Sequence, residues 1–336
     1  MISIAVGMGI LAISAAIVFG HPLVDPDGFL GPSFLRLPLL LSLAFLVDLA
    51  PRTLWVSRLH PSRMRQAWLD RFHAHWTKPR MALVTTGLLC FYVTYVSYRN
   101  LKSQLPFVEG KNHKFDRELD TIDRAFFLGH SPGSVLHQAL GTGISAEILS
   151  WVYLWFLPLV PLCLTAWLIW SRNLAHGYWF ASSQCVAWTL GTVSYYALPT
   201  LGPGIAFPYR FADLPDTGAL QLMSSITWTR IYYLNDVSGS LQSIAGFASL
   251  HVAITLLFAL MVQYTTPWRW LHVLAWVNCC VTTVATLYFG WHYVLDDIAG
   301  VAIALVSFYV GGLVSRQTFR RHRVTVPERA AEVTTV

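Results

Sequence analysis

The chain has 336 residues, of which 55% are hydrophobic and 12% charged, with a mean hydropathy of +0.51 and a formal net charge of +6. An ordinary globular protein carries about twice that share of charged residues, so the composition argues against a soluble enzyme, a disordered chain and a disulfide scaffold. One helical span needs roughly 20 apolar residues. The composition therefore predicts an all-α, polytopic membrane protein.

Apolar runs in chain order predict about eight transmembrane helices. The runs are 2–20, 37–51, 81–98, 147–170, 178–198, 249–267, 271–291 and 298–315. The first run has no small-residue cleavage site after a basic start, which favours a retained span over a signal peptide. We expect an N-terminal helix pair (1–60), a basic cytoplasmic loop (61–80), a six-helix core (81–315) and a basic tail (316–336).

Two basic clusters flank these runs and predict the orientation. The clusters are Arg52, Arg58, Arg63, Arg65, Arg71, Lys78 and Arg80, then Arg316, Arg320, Arg321 and Arg323. Basic segments beside spans mark the cytoplasmic side, so topology accounts for the positive charge and nucleic-acid binding is not expected. By alternation, the loops 99–146 and 199–248 lie outside. The expected location is the plasma (cytoplasmic) membrane.

The first outer loop contains an amphipathic pattern. Phe115, Leu119, Ile122 and Phe126 recur at helical spacing. The charged residues off that face are Asp116, Arg117, Asp120, Asp123 and Arg124. The pattern predicts a short helix that either lies in the membrane interface near a lipid entrance or packs on the bundle. The following patch, His130 to Ser134, contains Pro and Gly and is interpreted as a turn.

No cofactor is expected from the cysteines. Cys90, Cys163, Cys185, Cys279 and Cys280 all fall in apolar runs and are interpreted as small buried hydrophobic residues.

Two patches place ionisable residues near membrane depth, where they are costly and are candidates for function. The first is Gly246 to Val252 and the second is Gly290 to Gly300. From His251 the chain runs about 16 residues to Pro267 and then about 21 back to His292, or roughly 24 and 31 Å as helix. Both histidines therefore return to the same outer face. Asp296 lies four residues after His292, on one helical face.

This set suits phosphoryl transfer. His292, oriented by Asp296, is a candidate nucleophile that forms a phosphohistidine, and His251 a candidate acid for the departing alkoxide. Arg99 and Lys102 end the third run on the same side and are candidates for binding the phosphate oxygens. The backbone amides and hydroxyl around Gly246 and Ser249 are further substrate-binding candidates.

Other interpretations of these residues stay open. A single membrane histidine is often an interhelical hydrogen bonder, and Arg99 and Lys102 are each compatible with an interface anchor that snorkels. A histidine and carboxylate set can also bind a metal. No third ligand falls at suitable spacing, so no metal is expected.

The motifs resemble those of the phosphatidic-acid phosphatase type 2 superfamily, over roughly residues 81–315. Ser249-Leu250-His251 is similar to its second motif, and His292 to Asp296 to its third. The run Ser249 to Ala253 and the turn Leu198 to Gly204 look like the inositol phosphorylceramide synthase-like (inositolphosphotransferase) branch. The resemblance implies that His292 is the nucleophile, Asp296 its partner and His251 the general acid.

The chain departs from the superfamily pattern at three places. Ala248 replaces the proline before the motif serine, and Thr286 stands where the phosphatases carry an arginine. The first motif, a lysine followed by an arginine-proline pair, is missing. Only Arg99 and Lys102 resemble a substitute for it.

The sequence thus predicts a metal-independent enzyme that transfers or releases a phosphate or phospho-head group of a phospholipid or polyprenyl phosphate at the outer face. The alternative is a lipid or small-molecule transporter or flippase that uses the same polar groups. Transporters commonly show internal repeats, and none is visible here. An inactive partner subunit is a third interpretation, less favoured because all three catalytic side chains are present.

Overall fold

In the computed structural model the described residues are 1–26, 33–108, 114–235, 241–242, 244–317 and 319. This part of the chain is helical and contains no strand. Its α-helices are α1 (Ile2–Phe19), α2 (Ser33–Ser57), α3 (Pro61–His75), α4 (Lys78–Val108), α5 (Asp116–Phe126), α6 (Pro132–Leu140), α7 (Ile144–Leu154), α8 (Phe156–Leu164), α9 (Leu174–Ala197), α10 (Pro203–Ala206), α11 (Gly218–Leu234), α12 (Leu250–Thr265), α13 (Arg269–Tyr288) and α14 (Val294–Val314). A π-helical turn, Thr165–Trp170, continues α8, and a 3₁₀ turn, Pro208–Phe211, follows α10.

Among the described residues, five helical stretches are long and apolar enough to cross a membrane. They are α1, α4, α13, α14 and the stretch Ile144–Trp170, in which α7, α8 and the π-helical turn follow end to end. α12 is apolar but has only 16 residues. The three remaining predicted runs fall on α2, α9 and α12. The predicted all-α polytopic bundle is confirmed.

α9 lies in the middle of the bundle, where it packs against α4, α12 and α14. Its centre carries Ser182, Ser183 and Gln184, all buried. Because protein surrounds this helix, it does not need the apolar surface that a lipid-facing helix needs. α14 approaches it closely: a Cβ added to Gly311 would overlap the Ser183 hydroxyl and crowd the Trp179 carbonyl oxygen.

The N-terminal helices pack mainly on different partners. α1 packs along α4 and touches α9, whereas α2 packs against α3 and the π-helical turn. The 61–80 segment, expected as a basic loop, is largely the helix α3. Arg80 is buried and donates to the carbonyl oxygens of Leu168 and Arg172, at the end of the π-helical turn. Part of the basic cluster therefore joins helices within the protein.

Asp48 organises the contact between α2 and α3. Its carboxylate accepts from Arg71 Nη2 at 2.6 Å and Nε at 3.1 Å, and from Trp76 Nε1 at 3.1 Å. This arrangement gives the buried carboxylate a paired charge and a full set of donors, which is the condition under which such a group is tolerated. In the predicted basic tail, the expectations for Arg320, Arg321 and Arg323 lie outside the described residues.

Candidate active site

Two helix starts bring the predicted residues together. Ser249 is the N-cap of α12, with its hydroxyl accepting from the Val252 amide, so His251 stands in the first turn. Tyr293 is the N-cap of α14, and its amide donates to Asp296 Oδ2 at 2.9 Å. The two starts are tied to each other, because the Ser249 amide donates to the Asp296 backbone oxygen at 2.9 Å. Both histidines are thereby held at one end of the bundle.

The histidines and the carboxylate form one cluster. His292 Nδ1 lies 3.3 Å from Asp296 Oδ2, and the ring centroids of His292 and His251 are 6.2 Å apart. Asp296 is fully buried and His292 nearly so. A carboxylate can only accept, so its contact assigns the proton to Nδ1 and leaves a lone pair on Nε2. The lone pair on Nε2 makes His292 a candidate nucleophile.

Aromatic rings hold His251 in place. Its ring stacks on Tyr153 with centroids 4.4 Å apart and lies 4.1 Å from the Phe156 ring. The Trp291 ring stacks on Tyr153, with centroids 5.1 Å apart. Tyr153 and Phe156 come from α7 and α8, and sequence patterns alone gave no signal for this contact. Rings packed on an imidazole restrict its rotation and keep bulk water from that face.

Lys102 is a buried cation beside the cluster. Its exposure is 8%, and Nζ lies 3.3 Å from the Tyr98 hydroxyl and 4.6 Å from the Tyr195 ring centroid. The Arg99 Nε is buried without a hydrogen-bond partner. Neither cation forms an ion pair within the described residues, so both retain capacity for an anion.

The amides near Gly246 are engaged within the protein. Gly246 N donates to the Thr200 carbonyl oxygen, and Phe247 N to the Thr200 hydroxyl, each at 2.9 Å. Ala248 N donates to the Ser194 hydroxyl at 2.9 Å. Because Ser249 N is bonded to Asp296, none of these four donors points at an empty site. In this conformation Gly246 and Ser249 shape the loop that carries His251.

The turn Leu198 to Gly204, noted in the sequence, packs on the His292 loop. Gly204 N donates to the Gly290 carbonyl oxygen at 2.7 Å. Gly202 has φ +91°, and its position leaves no room for a Cβ beside the Trp291 carbonyl oxygen. This is the left-handed region that favours glycine. Glycine therefore permits both the turn and its contact with the loop.

We expect Gly202→Ala to destabilise the protein by about 1–3 kcal/mol, because the added methyl group meets both a strained φ and a backbone oxygen. The thermal unfolding midpoint of the purified protein measures the effect. Gly7→Ala is the matched control, because that glycine lies within α1 and has open space around its Cβ position. Equal midpoints for the two variants would contradict the close approach.

The predicted amphipathic helix is present as α5, but its orientation differs from the pattern. The inward face carries Asp116, Leu119 and Asp123, all buried. Ile122 and Phe126 are 36% and 68% exposed. The helix packs on the bundle through carboxylates that bind backbone amides, so the acidic residues expected off the packing face are part of it.

Two further sequence interpretations have a structural outcome. Thr286, which stands at the position of the missing arginine, places its hydroxyl 3.0 Å from Asp297 Oδ2 and its carbonyl oxygen 2.9 Å from the Trp291 amide. It supports the His292 loop. The patch predicted as a turn begins a helix, because Ser131 caps α6 and its hydroxyl accepts from the Ser134 amide at 3.3 Å.

Within the described part of the chain, no three histidine, cysteine or carboxylate side chains converge in a way that could hold a metal ion.

A helical membrane bundle with a buried histidine–carboxylate pair and a facing histidine at one end is an integral membrane protein with a site suited to group transfer. The sequence model of the PAP2 superfamily matches residues 117–310, and the chain belongs to this superfamily. Membership supports phosphatase or phosphotransferase chemistry on lipid-type substrates. The match contains His251, His292 and Asp296 but begins after Arg99 and Lys102. No curated protein and no solved structure matches the chain.

Proposed function

We propose that the protein transfers the phosphate or phospho-head group of a membrane lipid through a phosphohistidine on His292. The observation that carries the proposal is the contact of His292 Nδ1 with buried Asp296, with the His251 ring 6.2 Å away. Its substrate class is a phospholipid or a polyprenyl phosphate.

In the first step His292 Nε2 attacks phosphorus and forms the P–N bond. The P–O bond to the lipid breaks, and the oxygen leaves with the electron pair and takes a proton from protonated His251. Asp296 accepts from Nδ1–H and stabilises the positive charge that develops on the ring. In the second step a hydroxyl oxygen attacks phosphorus, His251 takes its proton, and the P–N bond breaks.

Lys102 and Arg99 stabilise the charge on the equatorial phosphate oxygens. Both are cations without an acidic partner in the described residues, and one orphan donor, Arg99 Nε, is already desolvated. Fixed cations in a site of low dielectric stabilise a transition state without reorganisation. We propose that they perform the electrostatic role that a metal has in other phosphoryl-transfer sites, which makes the reaction metal-independent.

We propose transfer to an alcohol rather than to water, as in the inositol phosphorylceramide synthase-like branch that the Ser249 to Ala253 run resembles. Water as the acceptor gives a phosphatase by the same steps. The basic residues near α3 and after α14 favour a site on the extracytoplasmic side of the plasma (cytoplasmic) membrane.

The test is purified protein in proteoliposomes with a panel of phospholipids and polyprenyl phosphates, with phosphate release and new lipid followed together. We expect turnover that survives EDTA and is inhibited by orthovanadate, because vanadate imitates the five-coordinate phosphorus. New lipid without equivalent free phosphate identifies a transferase. Turnover abolished by EDTA and restored by a divalent ion would contradict the mechanism, as would a panel without any turnover.

A further inference from the structure

The helix α5 approaches the catalytic loop from outside the bundle and bonds directly to its backbone. Both oxygens of Asp123 accept from the Val294 amide, at 3.2 and 3.3 Å. Val294 is the first residue of α14, where amides have no partner within the helix. It lies two residues after His292, so this carboxylate holds the chain on the C-terminal side of the histidine.

Asp116 holds the other partners of the same loop. Its carboxylate accepts from the amides of Leu201 and Gly202 and from the Tyr293 hydroxyl, each at 3.0 Å. The backbone of Gly202 lies so close to the Trp291 carbonyl oxygen that a Cβ at this position would overlap it. One carboxylate therefore bridges the residue after His292 and the turn that supports the residue before it.

Other bonds hold the residues on either side of His292: the Trp291 amide donates to the Thr286 carbonyl oxygen and the Tyr293 amide to Asp296, and α5 adds to this set. The His292 amide lies 3.4 Å from the Thr286 carbonyl oxygen, at the long end of hydrogen bonding. A cavity of about 10 Å³ separates His292 from α5, and Asp120 and Asp123 line it. That volume holds about one water molecule. Detachment of α5 would open this cavity to bulk water beside the nucleophile.

We infer that Asp123 and Asp116 are positioning residues for the reaction: through Val294, Tyr293 and Gly202 they hold the loop that aims His292 at phosphorus. This inference rests on the proposed function and assigns α5 a part in it. The catalytic residues remain His292, Asp296 and His251, because neither carboxylate of α5 touches the reacting atoms.

The ionisable carboxyl group of Asp123 makes the stability of the protein depend on pH. Burial raises the pKa of Asp123 from 3.8 to about 7, and the charges of Asp296 and Asp120 add to the shift. Asp120 is itself paired with Arg210 and Arg124, and His292 faces the shared cavity. Because the pKa of Asp123 is higher in the folded state, its stabilising contribution to the free energy of unfolding is complete below about pH 4. That contribution is lost as the pH rises through 7.

The experiment compares Asp123→Ala, Asp123→Asn and Asp116→Asn with the control Arg124→Gln, on the lipid that the panel identifies. Misplacing a reacting group by about 1 Å costs up to about 100-fold in rate. We expect Asp123→Ala to lower kcat by about 10- to 100-fold with KM changed less than about twofold. Asp123→Asn keeps an oxygen acceptor and should retain activity, which also covers the case in which the alanine variant does not fold.

Arg124→Gln breaks an ion pair of α5, but Arg124 is not among the residues that line the cavity and touches neither Tyr293 nor Val294, so the variant should leave kcat unchanged. The unfolding midpoint of the wild type minus that of Asp123→Asn should fall as the pH rises from about 4 to about 7. ¹⁵N NMR of the histidine side chains gives a readout independent of turnover: Asp123→Ala should disturb the His292 Nδ1–H signal and Arg124→Gln should not.

Wild-type kcat in Asp123→Ala, or an equal loss in Arg124→Gln, would overturn the inference while the proposed function stands. A wild type without turnover defeats the proposed function. Independently of turnover, an unchanged His292 signal in Asp123→Ala would contradict the positioning role of Asp123.

Discussion

His292→Ala should abolish turnover, with a loss of at least about 10³-fold in kcat, because the variant has no atom that can form the covalent intermediate. Within the described residues, the His292 ring makes one side-chain hydrogen bond, and its partner is Asp296. The variant should therefore fold, with Asp296 still held by the Tyr293 amide. Phosphate release and new lipid are measured together in proteoliposomes.

The covalent intermediate provides a second measurement. Substrate labelled with ³²P should leave label on the wild-type protein that is stable in base and lost in acid, as expected of a phosphoramidate, and none on His292→Ala. His272→Ala is the matched control, since that histidine lies at the opposite end of α13 and its Nε2 bonds the Thr266 carbonyl oxygen. It should retain both turnover and label.

Full activity in His292→Ala would remove the nucleophile from the proposal. If instead neither protein turns over lipid phosphates but the wild type translocates lipid and the variant does not, the transporter alternative is favoured.

The convergence of the two histidines and Asp296 was predictable from sequence. The sequence placed His292 and Asp296 on one helical face, whereas their contact spans the start of α14, because His292 precedes the N-cap Tyr293. Short helical legs return His251 to the same end, as expected. The structure brings these three side chains together. The turn around Gly202 was noted only for its resemblance, yet it joins α5 to the His292 loop.

The orientation of α5 was not predictable from its pattern. Ile122 and Phe126 and the acidic residues Asp116 and Asp123 follow the same helical period, so the sequence defines two faces without saying which one meets the protein. Near a membrane, an exposed apolar face costs little, while amides at a helix start favour a carboxylate. Backbone amides have no sequence signature, and the partners of the α5 acids are largely backbone.

The segment 61–80 illustrates the same limit. It lies between two apolar runs and was predicted as a basic loop, whereas Pro61–His75 forms the helix α3, which Arg71 joins to Asp48 of α2. The sequence also left Lys102 open between an interface anchor and a phosphate ligand. Its burial at 8% exposure does not fit an anchor that reaches the interface, and its role as a phosphate ligand stays a prediction.

Lys102→Met should lower activity and raise stability. Removing a cation that stabilises the transition-state charge should cost about 10²- to 10³-fold in kcat/KM. The same substitution removes a buried charge that has only the Tyr98 hydroxyl and two aromatic rings as partners, and methionine fills similar space. The unfolding midpoint of the variant should therefore lie above that of the wild type, as at other sites where function keeps a costly group.

Lys78→Met is the matched control, because Lys78 is exposed at the other end of the same helix and should change neither quantity. Lys102→Arg separates charge from shape: it should keep part of the activity, since it retains the charge in a different geometry. Orthovanadate inhibition should weaken in Lys102→Met in proportion to kcat/KM, because both report binding of the phosphate oxygens. A variant with lowered stability and unchanged vanadate inhibition would make Lys102 a structural residue and return the anion site to Arg99 alone.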